Sequence, residues 1–170
     1  MKCFEKIIIN HILEPASKYI DRYQFAYQPN KSVHDAVLTL VNGIQQHTDR
    51  IGCYARATFI DFSSAFNTIR AHCLIPKLQK LGVGSSLIMW ISDFLQDRVQ
   101  QVQVKNHISE RLILNTGTPQ GCVLSPLLFI LYTNDCTSNL DNVQILKYAD
   151  DTVIVGYLKD SEINYRESIN

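Results

Sequence analysis

Val143-Gln144-Ile145-Leu146-Lys147-Tyr148-Ala149-Asp150-Asp151-Thr152-Val153-Ile154-Val155-Gly156-Tyr157-Leu158 decides how this chain is read. The runs on either side of Asp150-Asp151 are rich in β-branched and aromatic residues, the composition of strands. Two strands broken by two adjacent carboxylates predict a β-hairpin with both negative charges at its tip. Like charges this close repel unless a cation neutralises them. Adjacent hard oxygen ligands suit magnesium, which is held by one or two carboxylates plus substrate phosphates. The stretch therefore points to metal-assisted phosphoryl chemistry. Taken alone it also reads as an exposed polar turn, because Asp is a common turn residue.

A second acid lies upstream. Ala57-Thr58-Phe59-Ile60 is a short apolar run ending at Asp61. It predicts a buried strand that delivers a carboxylate at its C-terminal end, a rigid mount for a metal ligand. Ser63-Ser64 then suits a turn whose backbone N–H groups gather around phosphate oxygens. A plain strand-end Asp is the other reading. Between the two acids lies Asn115-Thr116-Gly117-Thr118-Pro119-Gln120-Gly121, an irregular loop in which glycine lets the backbone approach a ligand closely. Ser125-Pro126 follows as a helix start. Leu127, Leu128, Ile130, Leu131 and Cys136 are expected to form that helix's apolar face.

Bulk properties set bounds. The chain has 170 residues, 46% hydrophobic and 19% charged, one domain's worth with room for a core. Lys+Arg 16 balances Asp+Glu 16, which is unusual for a protein that grips nucleic acid. Five scattered Cys never form a C-x-x-C pair, and no His spacing suits zinc. Reduced thiols and an intracellular setting are expected, with nucleus and cytoplasm undistinguished. No run is long enough for a membrane span, and no targeting pattern opens the chain.

Along the chain, Phe4 to Ile20 reads as a helix interrupted by Pro15. Ser32 and Asp35 form a capping box ahead of Val33, Val37, Leu40, Val41 and Ile44 at helical spacing. Leu74, Leu78 and Leu81 mark a helix closed by Gly82, and Ser85 caps another carrying Ile88, Ile91, Phe94 and Leu95. Arg98 to Val104 alternates like a half-buried strand, and Ile108 to Leu114 runs back against it. The fold class expected is α+β: an antiparallel sheet with helices packed on one face.

Together the three elements resemble the palm motifs of reverse transcriptases, in wording those of non-LTR (LINE-type) retrotransposons. Phe59-Ile60-Asp61-Phe62-Ser63-Ser64-Ala65-Phe66-Asn67-Thr68-Ile69 is similar to that family's first catalytic motif. Pro119-Gln120-Gly121-Cys122-Val123-Leu124-Ser125-Pro126-Leu127-Leu128-Phe129 is similar to its nucleotide-binding motif, and Tyr148-Ala149-Asp150-Asp151 to its catalytic hairpin. Order and spacing agree, from about Glu5 to about Gly156. The resemblance implies a polymerase palm with partial fingers, residues 1–50 being partial fingers and 51–170 palm within one reverse transcriptase domain. It also implies two magnesium ions, with manganese as a substitute, about 3.5–4 Å apart.

The resemblance further assigns roles. Asp61 and Asp150 bridge the metals, Asp151 is the third carboxylate, and the Phe62 carbonyl adds a ligand. Ser64 and Ala65 offer N–H groups to the triphosphate, and Phe66 is a steric gate against a ribonucleotide 2′-hydroxyl. Gln120 and Gly121 line the incoming nucleotide, and Tyr148 lies near the primer end. An RNA template, a DNA primer and dNTPs are the partners implied; the sequence implies no membrane and names no protein partner. The chain departs from the family at Gln28-Pro29-Asn30-Lys31-Ser32, where Gln28 replaces the usual Arg and leaves Lys31 as the nearby cation. The family's endonuclease, N-terminal fingers, primer grip and thumb are not in this sequence, which reads as a truncated element. The competing reading is a catalytically inactive fragment that binds RNA or protein. An aspartic protease is set aside because Asn115-Thr116-Gly117 lacks the required Asp.

Overall fold

Ile8, Ile12 and Ala16 recur along one stripe of the first helix and are all buried there. In chain order the helices are α1 (Lys2–Ala16), α2 (Val33–Thr48), α3 (Ala71–Lys80), α4 (Ser85–Leu95) and α5 (Ser125–Tyr132). The strands are β1 (Cys53–Ile60), β2 (Arg98–Gln100), β3 (Gln103–Val104), β4 (His107–Ile108), β5 (Leu112–Leu114), β6 (Val143–Tyr148) and β7 (Asp151–Lys159). The computed structural model describes residues 2–159. They divide into two units, each built from two stretches: residues 2–20 with 64–132, and residues 21–63 with 133–159.

The first unit is a helical cluster. Ile12, Leu74, Leu78, Ile91, Leu124, Leu128 and Leu131 are essentially inaccessible to solvent in one core. Each such side chain is worth about 1.5–3 kcal/mol relative to exposure. Pro15 sits in the last turn of α1 and a 3-10 turn, Ser17–Tyr19, follows, so the ring ends the helix rather than breaking it midway. Gly82 follows α3 as expected. Ser85 is the first residue of α4 and Gly84 its N-cap, so the serine hydroxyl does not cap that helix. α5 ends at Tyr132, and Cys136 is exposed beyond it rather than on its apolar face.

Arg98 to Leu114 also departs from expectation. β2 pairs with β5 and β3 with β4, but Val99, Val102, Val104, Ile108, Leu112 and Ile113 are all exposed. Among the described residues the ribbon has two strands in each ladder, so its alternation has no sheet face to bury against.

The second unit holds a three-stranded antiparallel sheet in the order β1-β7-β6. β7 is central and β1 is an edge. β1 was expected to be buried; its second half is exposed, Phe59 at 73%. On one sheet face, Leu146, Val153, Val155 and Tyr157 pack with Ala36, Leu40 and Ile44 of α2. The Ser32–Asp35 capping box forms at the start of α2. Val33, Val37 and Val41 remain about half exposed, because the helix meets the sheet along a narrower stripe than its apolar residues span. The whole is α+β with an antiparallel sheet, as the sequence predicts. All five cysteines are free thiols.

Candidate metal centre

The hairpin forms, with one change at its tip. Tyr148 pairs with Asp151, so the two central turn residues are Ala149 and Asp150. Asp151 is therefore the first residue of β7 and its side chain is exposed; one carboxylate, not two, occupies the tip. Ala149 has φ 59, the left-handed region that hairpins of this length use at their first central position and normally fill with glycine.

Antiparallel pairing brings Asp61 to the same end of the sheet. Ile60 is opposite Thr152, so one residue further the register sets Asp61 beside Asp151. Asp61, Asp151, Tyr148 and Thr152 line one cavity of about 320 Å³ with apolar walls that include Phe59, Leu146, Val153 and, from α2, Val37 and Leu40. Like charges opposite one another destabilise a sheet. Among the described residues, no salt bridge neutralises Asp61, Asp150 or Asp151.

These donors fit a hard divalent cation. They are oxygens only, and they sit at a sheet end where no salt bridge among the described residues occupies them. Among the described residues no group of three or more His, Cys, Asp or Glu is gathered tightly enough to hold an ion by itself. Magnesium does not need one, since one or two carboxylates suffice when phosphates complete its shell.

Several residues around the hairpin carried no role in the sequence reading. Lys147 is 2% exposed. Its Nζ donates to the carbonyls of Thr133 (3.0 Å) and Cys136 (2.8 Å) and lies 2.9 Å from Asp21 Oδ2. The Asp21 contact is between charges and is not an aligned hydrogen bond. Lys147 shares its strand face with Val143 and Ile145, opposite the face that packs on α2, and a charge buried there requires a partner. Gln24 is 1% exposed, and its Oε1 accepts from Ala26 N–H (2.9 Å) and Ala149 N–H (3.2 Å). Tyr27, at φ 55, has its phenol pKa raised by burial first, then by the Asp150 charge and by Tyr148. Lys31 is not a free cation: Nζ donates to the carbonyls of Arg22 (2.6 Å) and Gln24 (2.9 Å). Burial lowers its pKa, opposed by Asp21.

The residues with nucleotide roles lie in the first unit, whereas Phe62, whose carbonyl is the expected metal ligand, is exposed in the second. Ser64 takes the left-handed conformation (φ 58, ψ 41) and leads into the 3-10 turn Ala65–Asn67. Ala65 is buried, and the half-buried Phe66 ring lies 5.4 Å from that of Phe129. The loop before Gln120 is stitched to this turn: Gly117 N–H donates to Ile69 O (2.7 Å) and Thr118 N–H to Phe66 O (3.0 Å). Gly117 has φ 76, and a Cβ there would meet Asn67 Cα at 2.7 Å, so glycine is required. Gln120 and Gly121 are exposed. Glu5, 3% exposed, accepts from the N–H groups of Val123 (2.5 Å) and Leu124 (3.1 Å) and anchors the loop's other end at the start of α5.

The sequence profile described as "Reverse transcriptase (RNA-dependent DNA polymerase)" matches residues 1–169. The chain belongs to the reverse transcriptase family. This family generally uses divalent metal ions, which agrees with the oxygen donors above. Its relatives include the RNA-directed DNA polymerase from mobile element jockey of Drosophila melanogaster, 26% identical over 163 residues, 91% of this chain and 18% of that protein. A probable RNA-directed DNA polymerase from transposon BS of the same species is 31% identical over 136 residues, 79% of this chain and 15% of that protein. This reverse transcriptase chain thus spans less than a fifth of those relatives' length. Among solved structures, telomerase of Candida tropicalis, in complex with a telomeric RNA fragment, shares the fold. The TM-score is 0.65 at 12% identity, covering 96% of this chain and 30% of that one.

Proposed function

We propose that this chain is the metal-holding part of an RNA-directed DNA polymerase of a retrotransposon, adding dNTPs to a primer 3′-hydroxyl on an RNA template. The observation that carries the reading is the register that sets Asp61 beside Asp151 next to the Asp150 turn, three carboxylates without a neutralising side chain among the described residues. When bound, two magnesium ions activate the primer hydroxyl and stabilise the leaving pyrophosphate, and manganese substitutes for them.

The chain's own part is to hold and orient. Asp61, Asp150 and Asp151, with the Phe62 carbonyl, would hold the ions. Tyr148 contacts the primer end. Ser64 and Ala65 present N–H groups to the triphosphate, Phe66 excludes the 2′-hydroxyl, and Gln120 and Gly121 contact the nucleotide. The division into partial fingers (1–50) and palm (51–170) belongs to the same proposal, and it differs from the two compact units, which cut across residue 50. Free thiols suit an intracellular compartment.

Calorimetric titration of the chain with magnesium and manganese tests the site. Wild type is expected to bind weakly, because water and phosphate normally complete the shell. Asp150→Asn is expected to bind at least about tenfold more weakly, roughly 1.4 kcal/mol. Identical isotherms for the two proteins would remove the site.

A further inference from the structure

β6 is the outer strand in the sheet order β1-β7-β6, and the segment 23–25 runs along its outer edge. Lys147 N–H donates to Tyr23 O (2.8 Å), and Phe25 N–H donates to Lys147 O (2.9 Å). The segment's backbone then leaves β6. The next outward N–H, just past the end of β6, is that of Ala149 in the turn, and the Gln24 side chain reaches it at 3.2 Å. A side-chain oxygen thus continues a ladder that the backbone has stopped making. Beneath, Lys147 Nζ ties β6 to Asp21, two residues before the segment begins.

We propose that Gln24, held in register by the Asp21–Lys147 pair, is a positioning residue for Asp150. The inference rests on the reading of Asp150 as a metal ligand. Ala149 adopts φ 59, a conformation that costs an alanine energy and persists where its surroundings impose it. Its neighbour Asp150 takes its direction from that turn. Gln24 Oε1 fixes the Ala149 N–H, and so the orientation of the carboxylate that follows. Both contacts of the amide are to N–H groups, so the oxygen is the atom that faces them. The amide nitrogen, buried and without a partner among the described residues, is a cost borne to put that oxygen there.

Gln24→Asn separates the two bonds. An Asn oxygen still reaches the N–H two residues on, the ordinary Asx turn, so the bond to Ala26 survives. One methylene shorter, it no longer reaches Ala149. Two readouts are compared in the full chain: hydrogen exchange of the Ala149 amide by NMR without metal, and manganese affinity by electron paramagnetic resonance. Gln24→Asn is expected to speed Ala149 exchange about tenfold and to weaken manganese binding about fivefold. Val155→Ala, a core truncation in the same unit, lowers the melting temperature and is expected to leave both readouts unchanged. Wild-type manganese affinity in Gln24→Asn, with affinity lost in Asp150→Asn, overturns the inference and leaves the metal site standing. Wild-type affinity in Asp150→Asn overturns the metal site itself. If Gln24→Asn does not fold, wild type decides alone: an Ala149 amide exchanging as fast as that of an unstructured chain overturns the inference.

Discussion

At the residue scale, Asp150 is flanked by two side chains whose backbones lie in the left-handed region, Ala149 (φ 59) before it in sequence and Tyr27 (φ 55) beside it in space. Such conformations concentrate where structure is held for a purpose. Tyr27 also reports on its neighbour. Its pKa is raised by burial first, then by Asp150 and Tyr148. A folded-state pKa raised above the unfolded value stabilises the fold below about pH 10, and that stability is lost as pH rises through the folded value. Asp150→Asn deletes one of the causes and leaves burial in place. The Tyr27 ring titration, followed by NMR, is therefore expected to move to lower pH without reaching the ordinary tyrosine value. Tyr157, raised by burial and then by Tyr23, is expected not to move. An unmoved Tyr27 curve would mean that Asp150 does not face the phenol. The carboxylates were legible only together: each alone also reads as a turn or strand-end Asp, and the motifs around them in order gave them their meaning. The cations were less so. Lys31 looked like a free charge near the site, but its ammonium folds its own loop through two backbone carbonyls, a contact that no local pattern specifies.

At the element scale, the β6–β7 hairpin and α2 carry the site, and their fit is tightest where Gly43 meets the sheet. A Cβ at Gly43 would lie 2.5 Å from the Tyr157 hydroxyl, which donates to Gln144 Oε1 at 2.7 Å. In an unobstructed helix, replacing Gly with Ala gains about 1 kcal/mol. Here the clash with a ring held by its own hydrogen bond reverses the sign, at about 1–3 kcal/mol for overpacking. Gly43→Ala is expected to lower the urea midpoint, and Tyr157→Phe in the same protein is expected to return part of the loss. A Gly43→Ala protein more stable than wild type would show that α2 does not seat on Tyr157. Strands and helices with strong periodicity were readable, as was the capping box, because those signals are local. Burial was not. β1 reads as buried but is an edge, and Arg98 to Leu114 alternates without a face to cover it. An apolar run marks a strand and alternation records a pleat, but neither says what lies over it.

At the scale of the molecule, each unit is assembled from two separated stretches, so the three acids of the second unit come together only after chain closure across residues 64–132. Sequence spacing showed that the acids belong together through a family resemblance; what joins them physically is the antiparallel register of β1, β7 and β6, which involves partners about 90 residues apart. Charge belongs to this scale as well. With 16 basic and 16 acidic residues the chain has little to offer a phosphate backbone, so its hold on primer and template should be weak and should fall further with salt. Positioning supplies much of the rate in such reactions, and small misplacement is costly. The chain alone is therefore expected to extend an oligo(dT) primer on poly(rA) little or not at all. Substituted for the matching segment of the Drosophila melanogaster jockey polymerase, which it spans to 18%, it stands within that polymerase's flanking segments. Template-directed dTMP incorporation by that chimera tests the central claim directly. Magnesium-dependent incorporation that Asp150→Ala or Asp61→Ala removes is expected; incorporation that survives Asp150→Ala would contradict the metal-holding role of this carboxylate.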